Sequence, residues 1–237
     1  MPNTYFQFKK FRINQSRCAM KVGTDGVLLG SLCNFDGCRH IADVGTGTGL
    51  VALMVKQRYP DVAVTAIEID TDAYTQAQEN FRDSPWSING VNAGWQEYAE
   101  ACKLQNISFD GIVCNPPYFV NSLKNPSASR TLARHTDSLS FSELIDGVCK
   151  TLTADGRFYV ILPIENKADF VRRAEDRGLY LSYIHYIHPV IDGAVKRVVM
   201  CFTWHRGTEK ENHLYIEQSR HLYTDDFKRL TKDFYLD

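Results

Sequence analysis

The sequence has no uninterrupted apolar run near the length of about 18 residues that a membrane-spanning helix needs. Its first residues, MPNTYFQFKKFR, lack the apolar core and the small-residue cleavage site of a secretory signal. The seven cysteines form no C-x-x-C pair, and an odd number leaves at least one without a disulfide partner. We therefore expect a cytoplasmic protein with reduced thiols and no membrane partner.

A metal site finds little support in the sequence. His185 and His188 have the spacing of some metal-ligand pairs, but they fall within a predicted strand. Residues three apart on a strand point to opposite faces of the sheet, so the two imidazoles are poorly placed to share an ion. We predict that the protein has no metal site.

Acidic residues are absent from two stretches of the chain, residues 1–24 and residues 119–136. Eight of the 27 basic residues lie in these stretches, and aromatic residues are interleaved with the basic ones in the first. Such an asymmetry is typical of a surface that faces phosphates, although a solvated face with aromatic core anchors fits the charges equally well. The basic residues are Lys9, Lys10, Arg12, Arg17, Lys21, Lys124, Arg130 and Arg134.

Short apolar runs alternate with helical segments along most of the 237 residues, of which 44% are hydrophobic. Strands are predicted over residues 40–44, 62–67, 109–114, 156–162, 180–188 and 198–204, and helices over residues 50–59, 71–82, 140–151 and 166–177. Ser140 and Glu143 form a capping box at the third of these helices. The alternation predicts an α/β fold with a doubly wound, mostly parallel sheet. No helix separates the last two strands, so we expect an antiparallel hairpin at one edge.

A glycine-rich loop, DVGTGTG over residues 43–49, follows the first predicted strand. Glycines let the backbone turn sharply and approach a ligand, and the N-terminus of the next helix favours polar or anionic groups. The dinucleotide fingerprint G-x-G-x-x-G requires a glycine where this chain has Leu50. The spacing D-x-G-x-G-x-G instead resembles the first motif of S-adenosylmethionine-dependent methyltransferases. We therefore expect S-adenosylmethionine as the cofactor, with contacts from Asp43, Gly45, Thr46, Gly47 and Gly49.

Two acidic residues at the end of the second predicted strand are candidates to bind the ribose of this cofactor. In dinucleotide folds, a carboxylate about 20 residues after the glycine loop accepts hydrogen bonds from the ribose hydroxyls. Both Glu68 and Asp70 lie near that distance. We favour Glu68 because it ends the apolar run, whereas Asp70 with Thr71 is suited to cap the next helix.

The segment VCNPPYF over residues 113–119 places two prolines directly after a predicted strand. Proline fixes φ and has no N–H, so the chain must leave the sheet in a stiff loop. Ligands bind at the carboxyl edge of a parallel sheet, where this loop and the glycine loop both lie. The sequence Asn115-Pro116-Pro117-Tyr118 is similar to the signature of amino-methyltransferases, which act on base amines or on glutamine amides.

The side chains of this loop suit the chemistry of a conjugated amine, whose delocalised lone pair makes it a poor nucleophile. Asn115 Oδ1 and the Pro116 carbonyl can each accept one N–H, which favours a tetrahedral nitrogen with a free lone pair. The ring of Tyr118 can stack on a base and stabilise the positive charge that forms. We therefore assign Asn115, Pro116 and Tyr118 to catalysis, and Asn115 also to the cofactor site. A purely structural turn is the alternative.

Longer segments resemble one family, the bacterial valine-tRNA adenine-N6 methyltransferases, which modify the adenine beside the anticodon. The MKVGTDG and ARHT segments carry this resemblance, because the glycine loop and NPPY occur in many methyltransferases. The matching pieces, in the family's order, are FKKFRINQSRCAMKVGTDGVLLGS (residues 8–31), IADVGTGTGL (41–50), Glu68 with Asp70, SPW (84–86), NPPYF (115–119) and ARHTDSLSFSELI (133–145).

The resemblance implies a single Rossmann-like domain of the class I methyltransferase type, with a seven-stranded sheet. Its parts would be an N-terminal basic and cofactor-lid segment (1–36), a catalytic core (37–205) and a C-terminal extension (206–237). It also implies that Lys21, Gly23, Thr24 and Asp25 line the methionine end of the cofactor. The substrate would be tRNA, held by the two acid-free stretches, and a monomer is the default oligomeric state.

The chain departs from such enzymes after the third strand, where they commonly carry an acidic residue near the cofactor adenine. Here the sequence NAGWQEYAE offers Trp95 and Gln96. Gln96 can replace the hydrogen-bond acceptor, and Trp95 can stack on the adenine. A position for Trp95 in the core is the alternative.

Other functions are compatible with parts of this pattern. A protein glutamine-amide N5-methyltransferase or an rRNA amino-methyltransferase would use the same NPPY chemistry, although the former has no need of acid-free basic stretches. A non-catalytic RNA-binding module of the same fold is a third possibility. The intact residues Asn115, Tyr118, Gly45, Gly47 and Glu68 argue against that module.

Overall fold

The computed structural model describes residues 3–18, 21–116 and 139–236. Within these residues the strands are β1 (Tyr5–Gln7), β2 (Arg12–Asn14), β3 (His40–Val44), β4 (Ala63–Glu68), β5 (Asn89–Asn92), β6 (Phe109–Cys114), β7 (Leu152–Pro163), β8 (Tyr180–Val190), β9 (Arg197–Thr203), β10 (Lys210–Ser219) and β11 (Leu222–Tyr223). The helices are α1 (Thr24–Leu32), α2 (Leu50–Arg58), α3 (Thr71–Arg82), α4 (Trp95–Leu104), α5 (Phe141–Thr151), α6 (Lys167–Glu175) and α7 (Asp225–Thr231).

Nine of these strands form one sheet in the order β11-β10-β8-β9-β7-β6-β3-β4-β5. The strands from β5 to β7 are parallel to one another, and β9 is antiparallel to both of its neighbours, β7 and β8. This arrangement confirms the predicted doubly wound α/β fold and the antiparallel pairing of its last two predicted strands.

The predicted count of seven strands and the position of the hairpin were wrong. The C-terminal extension adds β10 parallel to β8, and β11 antiparallel to β10, so the β8–β9 pair lies inside the sheet. The sequence of β10, KENHLYIEQS, has few apolar residues, and only Leu214 is buried. An edge strand with so little buried surface gives a weak periodic signal.

Helices cover both faces of the sheet, and each face has its own hydrophobic cluster. Helices α1, α2, α3 and α7 contribute to one cluster, and α4, α5 and α6 contribute to the other. The structure confirms the predicted bounds of β6 and the capping box of α5, in which Ser140 Oγ accepts from the Glu143 amide and Glu143 Oε2 accepts from the Ser140 amide.

The two ends of the described chain pack against each other beside α2. The Lys9 amide donates to the Phe234 carbonyl at 2.8 Å, and the rings of Phe8 and Tyr235 are stacked with centroids 6.0 Å apart. Phe8 and Phe11 are buried in the core. Phe8 and Phe11 are therefore core anchors, as one of the two interpretations of the N-terminal stretch expected, whereas Tyr5 is exposed.

Candidate functional site

The register of the central strands aligns three of the predicted site residues. Val44 at the end of β3 is paired with Ile67 of β4 on one side and with Cys114 of β6 on the other. The residues that follow these three positions are Gly45, Glu68 and Asn115. They therefore lie in one row at the carboxyl edge of the sheet, where a ligand would meet all three.

The glycine loop has a backbone that other residues adopt with difficulty. Gly45, Gly47 and Gly49 have φ values of 68°, 57° and 83°, all in the left-handed region. The amides of Gly45 and Thr46 donate to the Ile67 carbonyl at 2.9 and 3.0 Å, which ties the loop to β4. A side chain at Gly45 or Gly47 would meet nothing within 4 Å, so the loop presents its open side to the carboxyl edge.

Asp43 supports this loop from within the protein. Its Oδ2 accepts hydrogen bonds from Thr46 Oγ1 at 2.6 Å and from the Ala52 amide at 3.0 Å, which joins the loop to α2. The carboxyl group is buried, and burial raises its pKa to about 7. Of the predicted cofactor residues, Asp43 and Thr46 thus hold the loop together and are buried rather than exposed at the edge.

This buried carboxyl predicts a pH dependence of stability. Because the pKa of Asp43 rises from 3.8 to about 7 on folding, the folded state binds more protons in that interval. The free energy of unfolding should therefore fall as the pH rises through it. Asp43→Asn keeps an oxygen acceptor and removes this contribution. Urea unfolding from about pH 4 to pH 8 should show a steeper decline for the wild type, and parallel curves would contradict the assignment.

Glu68 and Asp70 have different surroundings. Glu68 accepts from the Gly47 amide through Oε2 at 2.8 Å and from the Asp70 amide through Oε1 at 2.9 Å. Burial raises the pKa of Glu68. Asp70 Oδ1 accepts from the Ala73 amide at 2.7 Å and caps α3, so the cap is Asp70 itself and not Thr71. The carboxylate at the glycine loop is therefore that of Glu68.

Of the two positions considered for Trp95, the structure has the one in the core. Trp95 is buried, its Nε1 donates to the Leu144 carbonyl at 3.1 Å, and a Cβ at Gly147 would lie 2.2 Å from that nitrogen. The indole therefore packs α4 against α5. Gln96, in contrast, is exposed, and its Oε1 would lie 3.8 Å from a Cβ at Gly94.

Ile69 is a residue at this edge that the sequence analysis missed. It follows Glu68, 49% of its surface is exposed, and its Cδ1 would lie 3.5 Å from a Cβ at Gly94. An exposed isoleucine between two acids offers an apolar surface next to the carboxylate of Glu68. No signal in the sequence marks this residue, because single exposed aliphatic residues are common on protein surfaces.

Asn115 lies half-buried directly after β6, and Pro116 is buried. The first turn of α1 packs beside it, since a Cβ at Gly26 would lie 3.9 Å from Asn115 Nδ2 and 2.9 Å from Leu50 Cδ2. Burial raises the pKa of the neighbouring Cys114 thiol well above its usual range, so this cysteine is a core residue and not a nucleophile. Tyr118 lies outside the described residues.

The remaining predicted cofactor residues lie at the start of α1. Gly23 is the N-cap of this helix and Thr24 its first residue, and both are exposed, as is Lys21. The Val22 amide donates to Gln15 Oε1 at 2.8 Å, which ties this segment to the N-terminal hairpin. The structure thus brings the start of α1 to the same edge as Asn115.

The predicted RNA-binding residues are not all near that edge. Lys9 Nζ donates to the Lys232 carbonyl at 2.9 Å, and Lys10 lines a cleft of about 490 Å³ together with Arg58 and Asp233. Arg58 ends α2, whereas the glycine loop begins it, so both lysines lie at the opposite end of this helix. The buried rings of the N-terminal stretch account for this position, because they fix the stretch against the C-terminal segment.

Two other predicted RNA-binding residues have partners on the surface. Arg12 donates from Nε to Gln7 Oε1 at 3.0 Å, and its guanidinium lies 4.4 Å from the centroid of the Tyr5 ring. Arg17 pairs with Glu79 at 2.8 Å. Lys124, Arg130 and Arg134 lie outside the described residues.

The part of the chain that the structure describes contains no cluster of three His, Cys, Asp or Glu side chains suited to a metal ion, and none of its helices is long and apolar enough to cross a membrane. His188 Nε2 lies 2.9 Å from His213 Nδ1, so its hydrogen-bond partner is on β10. His185 belongs to the other face of β8, where burial lowers its pKa to about 4.

The profile of the methyltransferase small domain matches residues 20–163. A tRNA1(Val) (adenine(37)-N6)-methyltransferase of Parabacteroides distasonis is 43% identical over all of this chain and 99% of its own length. A protein of the same name from Pseudoalteromonas translucida is 40% identical over 98% of both chains.

Solved structures share the fold at lower identity. A predicted O-methyltransferase of Agrobacterium tumefaciens gives a TM-score of 0.69 at 21% identity, covering 89% of this chain and 96% of its own. A ribosomal protein L11 methylase of Lactobacillus delbrueckii gives a TM-score of 0.57 at 15% identity, covering 81% of this chain and 83% of its own. The profile match and the full-length relatives show that this chain belongs to the tRNA1(Val) (adenine(37)-N6)-methyltransferase family, within the methyltransferase small-domain group.

Proposed function

We propose that the protein transfers a methyl group from S-adenosylmethionine to the exocyclic N6 amine of an adenine in tRNA, the adenine beside the anticodon of a valine tRNA. The observation that carries this proposal is the row formed by Gly45, Glu68 and Asn115 at the carboxyl edge of the sheet. At this edge the glycine loop and the amide of Asn115 follow neighbouring strands, β3 and β6. The full-length relatives named for this reaction support the same substrate.

The residues at this edge fit S-adenosylmethionine. The left-handed glycine loop leaves room for a ligand to approach its backbone, and Glu68 offers a carboxylate for two ribose hydroxyls. Ile69 offers an apolar surface for the adenine ring, with Gln96 near it as a polar partner. The bound cofactor would supply an electrophilic methyl group. The start of α1, from Lys21 to Thr24, would cover its methionine end.

Asn115 and Pro116 act on the amine of the target base. Each has a carbonyl oxygen that can accept one N–H of the amine, which holds the nitrogen with its lone pair towards the methyl group. The amine nitrogen would take the methyl group that the bound cofactor supplies, and the proton that the nitrogen loses would pass to solvent. The protein thus contributes position and hydrogen-bond acceptors, while Tyr118 stacks on the base.

The RNA would lie over the same edge. Lys21 precedes α1 and Lys196 precedes β9, and both side chains are exposed there. With Arg17, which is also exposed, they would form a basic rim at this edge, whereas Lys9 and Lys10 are at the far end of α2. Lys124, Arg130 and Arg134 follow the NPPY loop in sequence and are proposed to complete this rim.

The test is mass spectrometry of nucleosides from tRNA incubated with the protein and S-adenosylmethionine. The expected product is N6-methyladenosine, in a valine tRNA transcript and not in one whose adenine beside the anticodon is replaced by guanine. Methylation of a protein glutamine or of rRNA alone would establish one of the rival substrates. If labelled cofactor yields no product with any of these, the protein is a non-catalytic module.

Glu68→Ala is expected to weaken the binding of S-adenosylmethionine by roughly 1–3 kcal/mol, because two ribose hydroxyls lose a charged acceptor and Gly47 loses its partner. Glu68→Gln, which keeps one acceptor, should lie between this variant and the wild type. Asp72→Ala removes an exposed carboxylate from the first turn of α3 and serves as the control. Calorimetry measures all three. Unchanged affinity in Glu68→Ala would exclude the ribose contact.

A further inference from the structure

An ion pair connects the sheet to the start of α1. Arg197 Nε donates to Asp25 Oδ2 at 2.9 Å, with 33% and 26% of the two side chains exposed. The two residues are separated by 172 positions in the sequence. Arg197 is the first residue of β9, and its backbone is paired with Pro163 of β7 and Ile187 of β8. The guanidinium therefore projects from a strand that is held on both sides.

The resemblance implied that Asp25 lines the methionine end of the cofactor. In the structure its carboxylate pairs with Arg197, in the turn of α1 that borders the candidate site. The next residue, Gly26, approaches the side chains of Leu50 and Asn115, as the distances from a Cβ at this position demonstrate. Leu50 directly follows the glycine loop. The first turn of α1 thus contacts both halves of the proposed reaction centre, the cofactor loop and the amine-binding residue.

Hydrogen bonds within the helix do little to fix this turn. The N-cap Gly23 provides no side-chain hydrogen bond, and the Val27 amide lies 3.4 Å from the Gly23 carbonyl, a long first helical bond. Helix ends of this kind fray unless a tertiary contact holds them. Because the Arg197–Asp25 ion pair is half-buried, water and salt screen it less than they screen the exposed ion pairs of the same protein.

We propose that Arg197 is a positioning residue, which holds the first turn of α1 through Asp25 and thereby sets the distance between Asn115 and the cofactor. The proposal rests on the function proposed above. Since reacting groups must be held within a fraction of an ångström, a shift of this turn would slow methyl transfer while both substrates still bind. Arg197 itself need not contact either substrate.

A double-mutant cycle separates this role from direct contact. Arg197→Met and Asp25→Asn each break the pair with little change of volume, and Arg197→Lys keeps the charge. The matched control is Asp169→Asn, which breaks the pair of Asp169 with Arg173 in α6 at 2.8 Å, with exposures of 44% and 36%. Single-turnover rates on tRNA, affinities for S-adenosylmethionine and tRNA, and hydrogen exchange of residues 24–32 are measured for each.

We expect a transfer rate about tenfold lower in each single variant, and a double variant no slower than either. The affinities for S-adenosylmethionine and tRNA should stay within about threefold of the wild type. Hydrogen exchange in α1 should be faster. Arg197→Lys should recover part of the rate, and Asp169→Asn should match the wild type. A loss of tRNA affinity in Arg197→Met alone would make the arginine an RNA contact. A loss of cofactor affinity in Asp25→Asn alone would make the aspartate a cofactor contact, and either result overturns the proposal.

Failure of the proposed function gives a different pattern. A wild-type protein that transfers no methyl group to tRNA refutes that function. Exchange in α1 needs no substrate, so it still tests the ion pair. Unchanged exchange of residues 24–32 in both single variants would overturn the positioning role whatever the reaction.

Discussion

Asn115→Ala is expected to slow methyl transfer by about 10²–10³ and to leave the affinity for S-adenosylmethionine nearly unchanged. This is the range for the loss of one preorganised polar group that acts in the transition state. Asn115 follows four buried residues of β6 and precedes a buried proline, so its backbone is held and cannot move to offset the loss. Single-turnover rates at saturating cofactor and tRNA measure the effect.

Asn115→Asp separates two ways in which the amide can act. Aspartate keeps an oxygen acceptor of nearly the same shape, so it should retain much more activity than alanine if Oδ1 accepts the N–H of the substrate amine. If the amide instead donated from Nδ2, aspartate would be as poor as alanine or worse. The control is Asn212→Ala, on the distant strand β10, which removes a hydrogen bond to the hydroxyl of Tyr183 on β8. An Asn115→Asp enzyme slower than the alanine variant would refute the acceptor mechanism.

The row of site residues could be predicted because it depends on local signals. Glycines after one strand, an acid at the end of the next and an Asn-Pro-Pro loop after a third all fall at the carboxyl edge once the strands are parallel. The register of β3, β4 and β6 follows from the same signals, because the paired residues Val44, Ile67 and Cys114 each end an apolar run. The same logic placed the capping box at Ser140.

Long-range packing could not be predicted in this way. Charge alone made Lys9 a candidate for RNA binding, but its ammonium donates to the backbone of Lys232, 223 positions along the chain. Likewise, no local pattern relates Arg197 to Asp25, and none decides between the core and the ligand for Trp95, because its indole packs over Gly147 of another helix. Such contacts depend on how helices dock on the sheet, and a single sequence does not encode them as a periodic signal.

The glycine loop provides the second large effect. Gly49→Ala is expected to destabilise the protein by roughly 2–5 kcal/mol, because two penalties combine at this residue. A left-handed residue with a side chain is strained, and Gly49 has a φ of 83°. Its Cβ would also lie 2.3 Å from Cε1 of Phe81, a buried ring of α3. Urea unfolding at fixed pH measures the change, which is a large part of a typical total stability of about 5–15 kcal/mol.

Two other glycines separate these penalties. Gly37 has a φ of 79° and space for a Cβ, so Gly37→Ala carries the conformational strain alone and should cost roughly 1–2 kcal/mol. Gly47 also has a left-handed φ and space for a Cβ, but the Cβ of Gly47→Ala would point into the open side of the loop, where the ligand is proposed to bind. This variant should therefore resemble Gly37→Ala in stability and yet lose affinity for S-adenosylmethionine, whereas Gly37→Ala should bind normally. Equal destabilisation by Gly49→Ala and Gly37→Ala would mean that Phe81 moves aside, and normal cofactor binding by Gly47→Ala would place the cofactor away from this loop.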